Sequence, residues 1–171
     1  MPAESTMTSD PLASTRPHMP RDYGILDKDE GSGLLPWGRT SERLATSRNY
    51  WAHTTCPDGR PHVKPVWGLW FDGHFYFGTS PKSVDGQNMA ANASLVVNLE
   101  SGDDAVILEG TAELVTDSAL LSLLDEAYFA KYSYHLAGNK AGLVYMLRHK
   151  VVFAWLESDF VGSATKYEFH V

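Results

Sequence analysis

The chain has 171 residues, 43% of them hydrophobic and 20% charged, with a formal net charge of -7. That length supports one domain whose core removes roughly 70% of the unfolded surface from water, and the acidic balance excludes the basic stripe that a nucleic-acid binder needs. The single cysteine, Cys56, excludes an internal disulfide and a zinc site of several thiolates, and the absence of a long apolar run or a secretory leader pattern sets the expectation of a cytoplasmic protein with no membrane span.

Residues 1–34 read as a flexible N-terminal arm, rich in Ser, Thr, Pro, Ala and Met as far as His18 and in Asp and Gly beyond it, and the folded domain is expected over 35–171. Thr40 or Ser41 is expected to cap a first helix, followed by a strand at 50–55. Asp58-Gly59 and Asp72-Gly73 are hairpin turns, and the long strand between them completes a three-stranded antiparallel meander. Ser83 caps a short helix through Met89 and Ala91, and SLVVNLE and AVILEGTAELV are strands joined by SGDD. Thr116-Asp117 opens a longer helix with Leu120, Leu123, Leu124, Ala127 and Tyr128 on one face. KVVFAWLE is a further strand and SATKYEF a short last one. About six antiparallel strands with helices at their connections predict a mainly β fold, a small β-barrel with helical additions.

Many chemistries have nothing to stand on. The seven histidines are dispersed, with no His-Glu-x-x-His pattern, so no metal site is expected. Nucleophile-elbow, Walker and kinase signatures are missing, and the glycines of Gly31-Ser32-Gly33 follow no strand. Asp103-Asp104 reads as a solvated turn and Cys56 as a structural residue. The long strand carries the remaining signal. Its residues Val63, Pro65, Trp67, Leu69 and Phe71 make one apolar face, while Arg60, His62 and Lys64 start the other, followed by Val66 and Gly68. A hydroxyl-rich loop, Thr79, Ser80, Lys82 and Ser83, ends at a helix N-terminus close by in sequence, with Tyr76 on the strand before it. Cations beside such a loop suit an anionic group on a flat ligand. Pro65 withdraws an N–H from the ladder and implies an edge, a bulge or a backbone face turned to a ligand. Periodicity alone fits equally well an ordinary edge strand with a basic solvent face. His62, Trp67 and Trp70 read first as strand-face and packing residues.

The stretches DGRPHVKPVWGLW, NMAANASLVVNLESG and SATKYEF resemble the pyridoxamine-phosphate-oxidase-like split-barrel proteins, above all their actinobacterial branch of flavin- and deazaflavin-dependent oxidoreductases. The resemblance runs from about Leu35 to the C-terminus. It implies a six-stranded antiparallel split barrel, a homodimer, and cofactor grooves at the subunit interface. By the same resemblance Val63, Lys64, Pro65 and Val66 lie along the ring system, and Thr79, Ser80, Lys82 and Ser83 hold the phosphate. Gln87 and Asn88 stand behind that loop, and Lys166 and Tyr167 approach from the C-terminal segment. No dedicated acid or base is implied, because the cofactor carries the hydride and the protein supplies orientation and electrostatics.

The chain departs from the pattern in one place. Where the family shows Ser-Arg-Lys-x-Arg-Asn-Leu, this sequence has Ser83 to Met89 as SVDGQNM, with Asp85 in place of a cation. Each unit charge beside a phosphate counts for roughly 1–4 kcal/mol. The expected cofactor is therefore the 8-hydroxy-5-deazaflavin coenzyme with its tail displaced, then FMN or haem, serving reduction of a conjugated small-molecule substrate, with loss of cofactor binding as the last alternative. The rival is a non-catalytic cofactor or haem carrier, for which the 128–135 segment YFAKYSYH is aromatic enough to cover a ring.

Overall fold

The computed structural model describes residues 10–27, 29–136 and 142–170, so residues 1–9 of the expected arm lie outside the described residues. In chain order the elements are β1 (Ala13–Thr15), α1 (Trp37–Thr46), β2 (Asn49–Thr55), β3 (Pro61–Phe71), β4 (His74–Thr79), α2 (Val84–Ala91), β5 (Ser94–Leu99), β6 (Asp104–Leu114), α3 (Ser118–Tyr132), β7 (Leu143–Leu156), α4 (Phe160–Ser163) and β8 (Thr165–Glu168). The sheet runs β7-β4-β3-β2-β5-β6 and closes through a β6–β7 ladder, giving a six-stranded antiparallel barrel. The mainly β split barrel expected from the sequence is the fold observed.

Closure depends on β7. Along 14 residues it pairs β6 nearly throughout, but it pairs β4 only over Leu143–Leu147 and β8 only over Val151–Ala154. A register shift at Glu109/Gly110 lets β6 bend with it, and Gly110 is required there because a Cβ would run into the Arg148 carbonyl. Inside the barrel, Phe75, Phe77, Leu95, Val97, Val106, Leu108, Leu147 and Val152 form one cluster with Tyr50 and Tyr167. A second cluster lies outside the wall, where Leu124, Tyr128 and Tyr132 of α3 cover Leu69, Tyr76 and Val144.

Several expectations shift. Residues 13–15 of the arm form β1, which pairs β8, and Arg16 donates to the Ala164 carbonyl at 3.0 Å, so this part of the N-terminal segment is tied to the sheet. Helix α1 starts at Trp37 after Pro36 rather than at a Thr40 or Ser41 cap. The Thr40 hydroxyl is bonded to Tyr167 Oη at 2.9 Å and the Ser41 hydroxyl accepts from Trp70 Nε1, which leaves neither for capping. The caps at Ser83 and Asp117 form as expected. On α3 the buried line is Leu124, Tyr128 and Tyr132, and Leu123 is 51% exposed on the shoulder of the helix. A fourth helix, the single turn α4, joins the three expected.

Candidate functional site

β3 leaves its neighbour halfway along. The ladder with β4 runs from Phe71↔His74 to Gly68↔Phe77 and stops, and Gly78 and Thr79 of β4 continue opposite Val144 and Leu143 of β7. Pro61–Trp67 pairs only with β2. Phe71 and His74 are the hydrogen-bonded pair beside the two-residue turn, so alternation turns the main-chain groups of Leu69, Trp67, Pro65 and Val63 toward the β4 side. Beyond Gly68 no described strand receives them. Pro65 stands on this free edge, where its missing N–H breaks no ladder bond. The split opens a groove of about 420 Å³ lined by Asn49, Lys64, Pro65, Val66, Trp67, Gly78 and Tyr128. A recess of about 380 Å³ shares Gly78 and Tyr128 with it and adds Thr79, Ser80, Tyr134 and Leu136.

The two faces of β3 are the reverse of the simplest reading. Val63 and Trp67 of the apolar face are 47% and 40% exposed on the outside of the barrel, and only its far end, Leu69 and Phe71, is covered by the α3 cluster. The face that begins with His62 and Lys64 points inward, where Val66 and Trp70 join the barrel core. Trp67 lies flat on Tyr132, with ring centroids 4.8 Å apart and planes 9° from parallel, and the Arg48 guanidinium sits over both rings. This makes a rigid aromatic wall at one end of the groove.

At the other end Lys64 meets Asp85. The ammonium is 2.8 Å from Asp85 Oδ1 and 3.5 Å from Thr79 Oγ1, and the Asp85 side chain is only 2% exposed. The hydroxyls of Thr79 and Ser83 are 2.9 Å apart, and Ser83 Oγ accepts from the Gly86 N–H while donating to the Ser80 carbonyl. Burial pushes the Asp85 carboxyl up, but the Lys64 ammonium, with the Thr79 and Ser83 hydroxyls close by, outweighs it and holds the group below its ordinary value. Asp85 Oδ2 is buried without a hydrogen-bond partner among the described residues.

The structure thus gathers Lys64, Pro65, Val66, Thr79, Ser80 and Ser83 around one groove, and leaves other expected residues apart from its lining. Arg60 is exposed in its hairpin and paired with Asp58. Val63 lies outside on the same strand, and Lys82 and Gln87 are exposed, the Gln87 amide donating to the Lys82 carbonyl. Asn88 is buried, donating to Thr54 Oγ1 and Cys56 Sγ, and His62 Nε2 is buried with no partner among the described residues. Lys166 is on β8, bonded to Glu168. Sequence reasoning missed Asn49 and Gly78, which carry no motif. Tyr128 and Tyr134 had a signal in the aromatic YFAKYSYH segment, and both line the cavity.

Behind the aromatic wall, Lys131 Nζ donates to Tyr50 Oη at 2.9 Å and the Gly68 carbonyl at 3.1 Å. Burial, reinforced by Arg48, pushes this lysine down to about 8. Burial likewise pushes the Tyr128 phenol, whose ring lines the groove, up to about 12. Among the described residues no cluster of His, Cys, Asp and Glu could hold a metal ion, and no helix is long and apolar enough to cross a membrane.

Residues 40–156 match the profile of the pyridoxamine 5'-phosphate oxidase family. No curated protein sequence matches the chain. Among solved structures, the conserved hypothetical protein Rv2991 from Mycobacterium tuberculosis aligns at a TM-score of 0.63 and 21% identity, covering 71% of this chain and 85% of that one. A haem-binding protein from Mycobacterium smegmatis aligns at 0.58 and 19% identity, covering 71% of this chain and 55% of that one. A NimC/NimA-family protein from Clostridium acetobutylicum aligns at 0.63 and 14% identity, over 77% and 91%. At these identities the structures establish the fold.

Proposed function

The chain belongs to the pyridoxamine 5'-phosphate oxidase family, and from that premise we propose that it is a cytoplasmic, homodimeric oxidoreductase that lays the ring of a deazaflavin coenzyme, or of FMN, along the free edge of β3. The observation that carries this reading is the split itself. A strand edge with unpaired main-chain groups, a proline where an N–H would be idle and an apolar flank is suited to a flat heterocycle with polar rims. Val63 and Trp67, exposed beside the groove, together with Val84, are the surface a second copy would cover. The ring end of such a cofactor fits these residues, and the phosphate end does not, because Asp85 already stands at the loop that would take it. When bound, the cofactor supplies hydride transfer. The chain's residues orient the ring and keep water from it, Trp67 and Tyr132 as a rigid wall and Tyr128 as part of the lining. A conjugated small molecule stacked on the ring is the substrate class this arrangement serves.

Titration of the protein with the deazaflavin coenzyme, FMN and haem, followed by tryptophan quenching, tests the reading. Binding on the order of micromolar is expected for the deazaflavin, with most of the quenching lost in Trp67→Phe and binding abolished in Asn49→Trp, which fills the groove. Undiminished binding in Asn49→Trp, or no binding of any ring compound, overturns it. The second reading, a haem carrier, rests on the unpartnered buried Nε2 of His62 and the haem-binding neighbour. It requires a haem Soret shift that His62→Ala removes.

A further inference from the structure

We propose that Asp85 is a built-in anion that closes the phosphate end of the groove, so that the ligand of this chain is a flat ring compound that presents no phosphate to the Thr79–Ser83 loop. This sharpens the ring-binding reading above and rests on it for the identity of the ligand.

The case is geometric. An ammonium, two hydroxyls and the first turn of α2 converge on one small volume, which is the donor set that receives an anion. The anion they receive belongs to the chain itself. Asp85 Oδ1 takes the Lys64 ammonium at 2.8 Å, and Oδ2 is buried with no hydrogen-bond partner among the described residues. Part of the loop's own donor set is committed as well. The loop is packed onto the helix so closely that a Cβ on Gly86 would overlap the Ser80 carbonyl, and the Ser83 hydroxyl is already engaged with the Ser80 carbonyl and the Gly86 N–H. Electrostatics agree, because the Lys64 charge is already matched by Asp85, and a phosphate brought between them would face a like charge in a partly desolvated site, with Lys82 a cation only on the loop's exposed side. A neutral tail meets no such opposition.

The test compares riboflavin with FMN, which differ only by the phosphate, and adds inorganic phosphate as a probe of the loop alone. For the wild-type protein the two flavins are expected to bind within about threefold of each other, and inorganic phosphate is expected to leave the melting temperature where chloride of equal ionic strength leaves it. Asp85→Asn, of the same shape, and Asp85→Ser, which is shorter, are expected to favour FMN over riboflavin by tenfold or more, about 1.4 kcal/mol, and to gain melting temperature in phosphate. A wild-type preference for FMN of that size overturns the proposal without recourse to any variant. So does a folded Asp85→Asn or Asp85→Ser protein that ignores phosphate. Should the wild type bind neither flavin nor the deazaflavin coenzyme, the ring-binding reading falls, while the phosphate melting curves still decide the role of Asp85.

Discussion

Lys64 and Lys131 are both partly drawn out of water, and the fold satisfies them in opposite ways. Lys64, at the mouth of the barrel, meets a buried carboxylate at 2.8 Å. Lys131, between α3 and the barrel wall, meets a phenol, a carbonyl and the faces of the Tyr50 and Tyr132 rings, with the like charge of Arg48 nearby. In the first case the partner's charge is held in place, and the Asp85 carboxyl is low despite its burial. In the second, dipoles and ring quadrupoles only part-offset the lost hydration, and the ammonium is brought near neutrality at about 8. A full countercharge fixes a pair that neither member can leave. A set of dipoles holds a cation that could be removed with little left unsatisfied.

The sharpest break of this contrast is Lys64→Ala. It strands Asp85, whose side chain is 2% exposed, as an unpaired charge, and the expected loss is about 3 kcal/mol or more in urea unfolding. Replacing both members with apolar residues, Lys64→Met with Asp85→Leu, is expected to recover most of that loss. A single Lys64→Ala loss below about 1 kcal/mol, the range of an exposed pair, would show that the two are not coupled. The pH sign follows from the lowered Asp85 value. The stability it contributes is present above its ordinary 3.8 and disappears as pH falls through the lower folded value, so wild type and Lys64→Ala should converge below that range.

A smaller effect is expected at Tyr132, which serves both sides of the comparison by walling the groove and holding β3 where Lys131 docks. Its hydroxyl donates toward the Arg48 carbonyl at 2.6 Å or the Gly68 carbonyl at 2.8 Å and accepts from the Gly68 N–H at 3.1 Å. Tyr132→Phe keeps the Trp67 stack and leaves a buried N–H unpaired, with an expected loss of about 1–3 kcal/mol. Ring affinity should then fall less than stability, since the stacked wall remains. A loss of all ring binding in a folded Tyr132→Phe protein would place the hydroxyl, rather than the stack, at the ligand.

How far the sequence showed this contrast depends on what each feature needs. Hairpins at Asp58-Gly59 and Asp72-Gly73 and caps at Ser83 and Asp117 are local, determined by a few neighbouring residues, and all were legible. The orientation of β3 was not. Alternation marks two faces but not which is inside, and here the apolar face points outward, covered by α3 at Leu69 and Phe71 and left open at Val63 and Trp67. Lys64 could go inside only because Asp85, distant in sequence, is delivered by α2. Asp85 itself was noticed as a departure from a basic pattern, whereas its burial against Lys64 is a tertiary fact. Lys131 breaks the apolar stripe of α3, and no local pattern indicates that Tyr50 and Gly68 will receive it.

The smallest expected effect completes the comparison. Lys131→Met removes a poorly solvated cation and leaves its partners satisfied, since Tyr50 Oη still donates to the Leu44 carbonyl at 2.6 Å and the Gly68 carbonyl still has Tyr132. Its stability near neutral pH should lie within about 1 kcal/mol of wild type. The pH profile is the sharper readout. With Lys131 at about 8 in the folded chain and 10.5 in the unfolded, the unfolded state binds more protons between those values. Wild-type stability should therefore rise with pH from about 8, and the variant should show no such rise. The raised values of Tyr50 and Tyr132 act oppositely as tyrosine titrates from about 10 upward, so the comparison belongs between pH 8 and 9.5, on the wild-type-minus-variant difference. A difference that is flat across that window would mean that Tyr50, Gly68 and the two rings hold the Lys131 ammonium charged in spite of its burial.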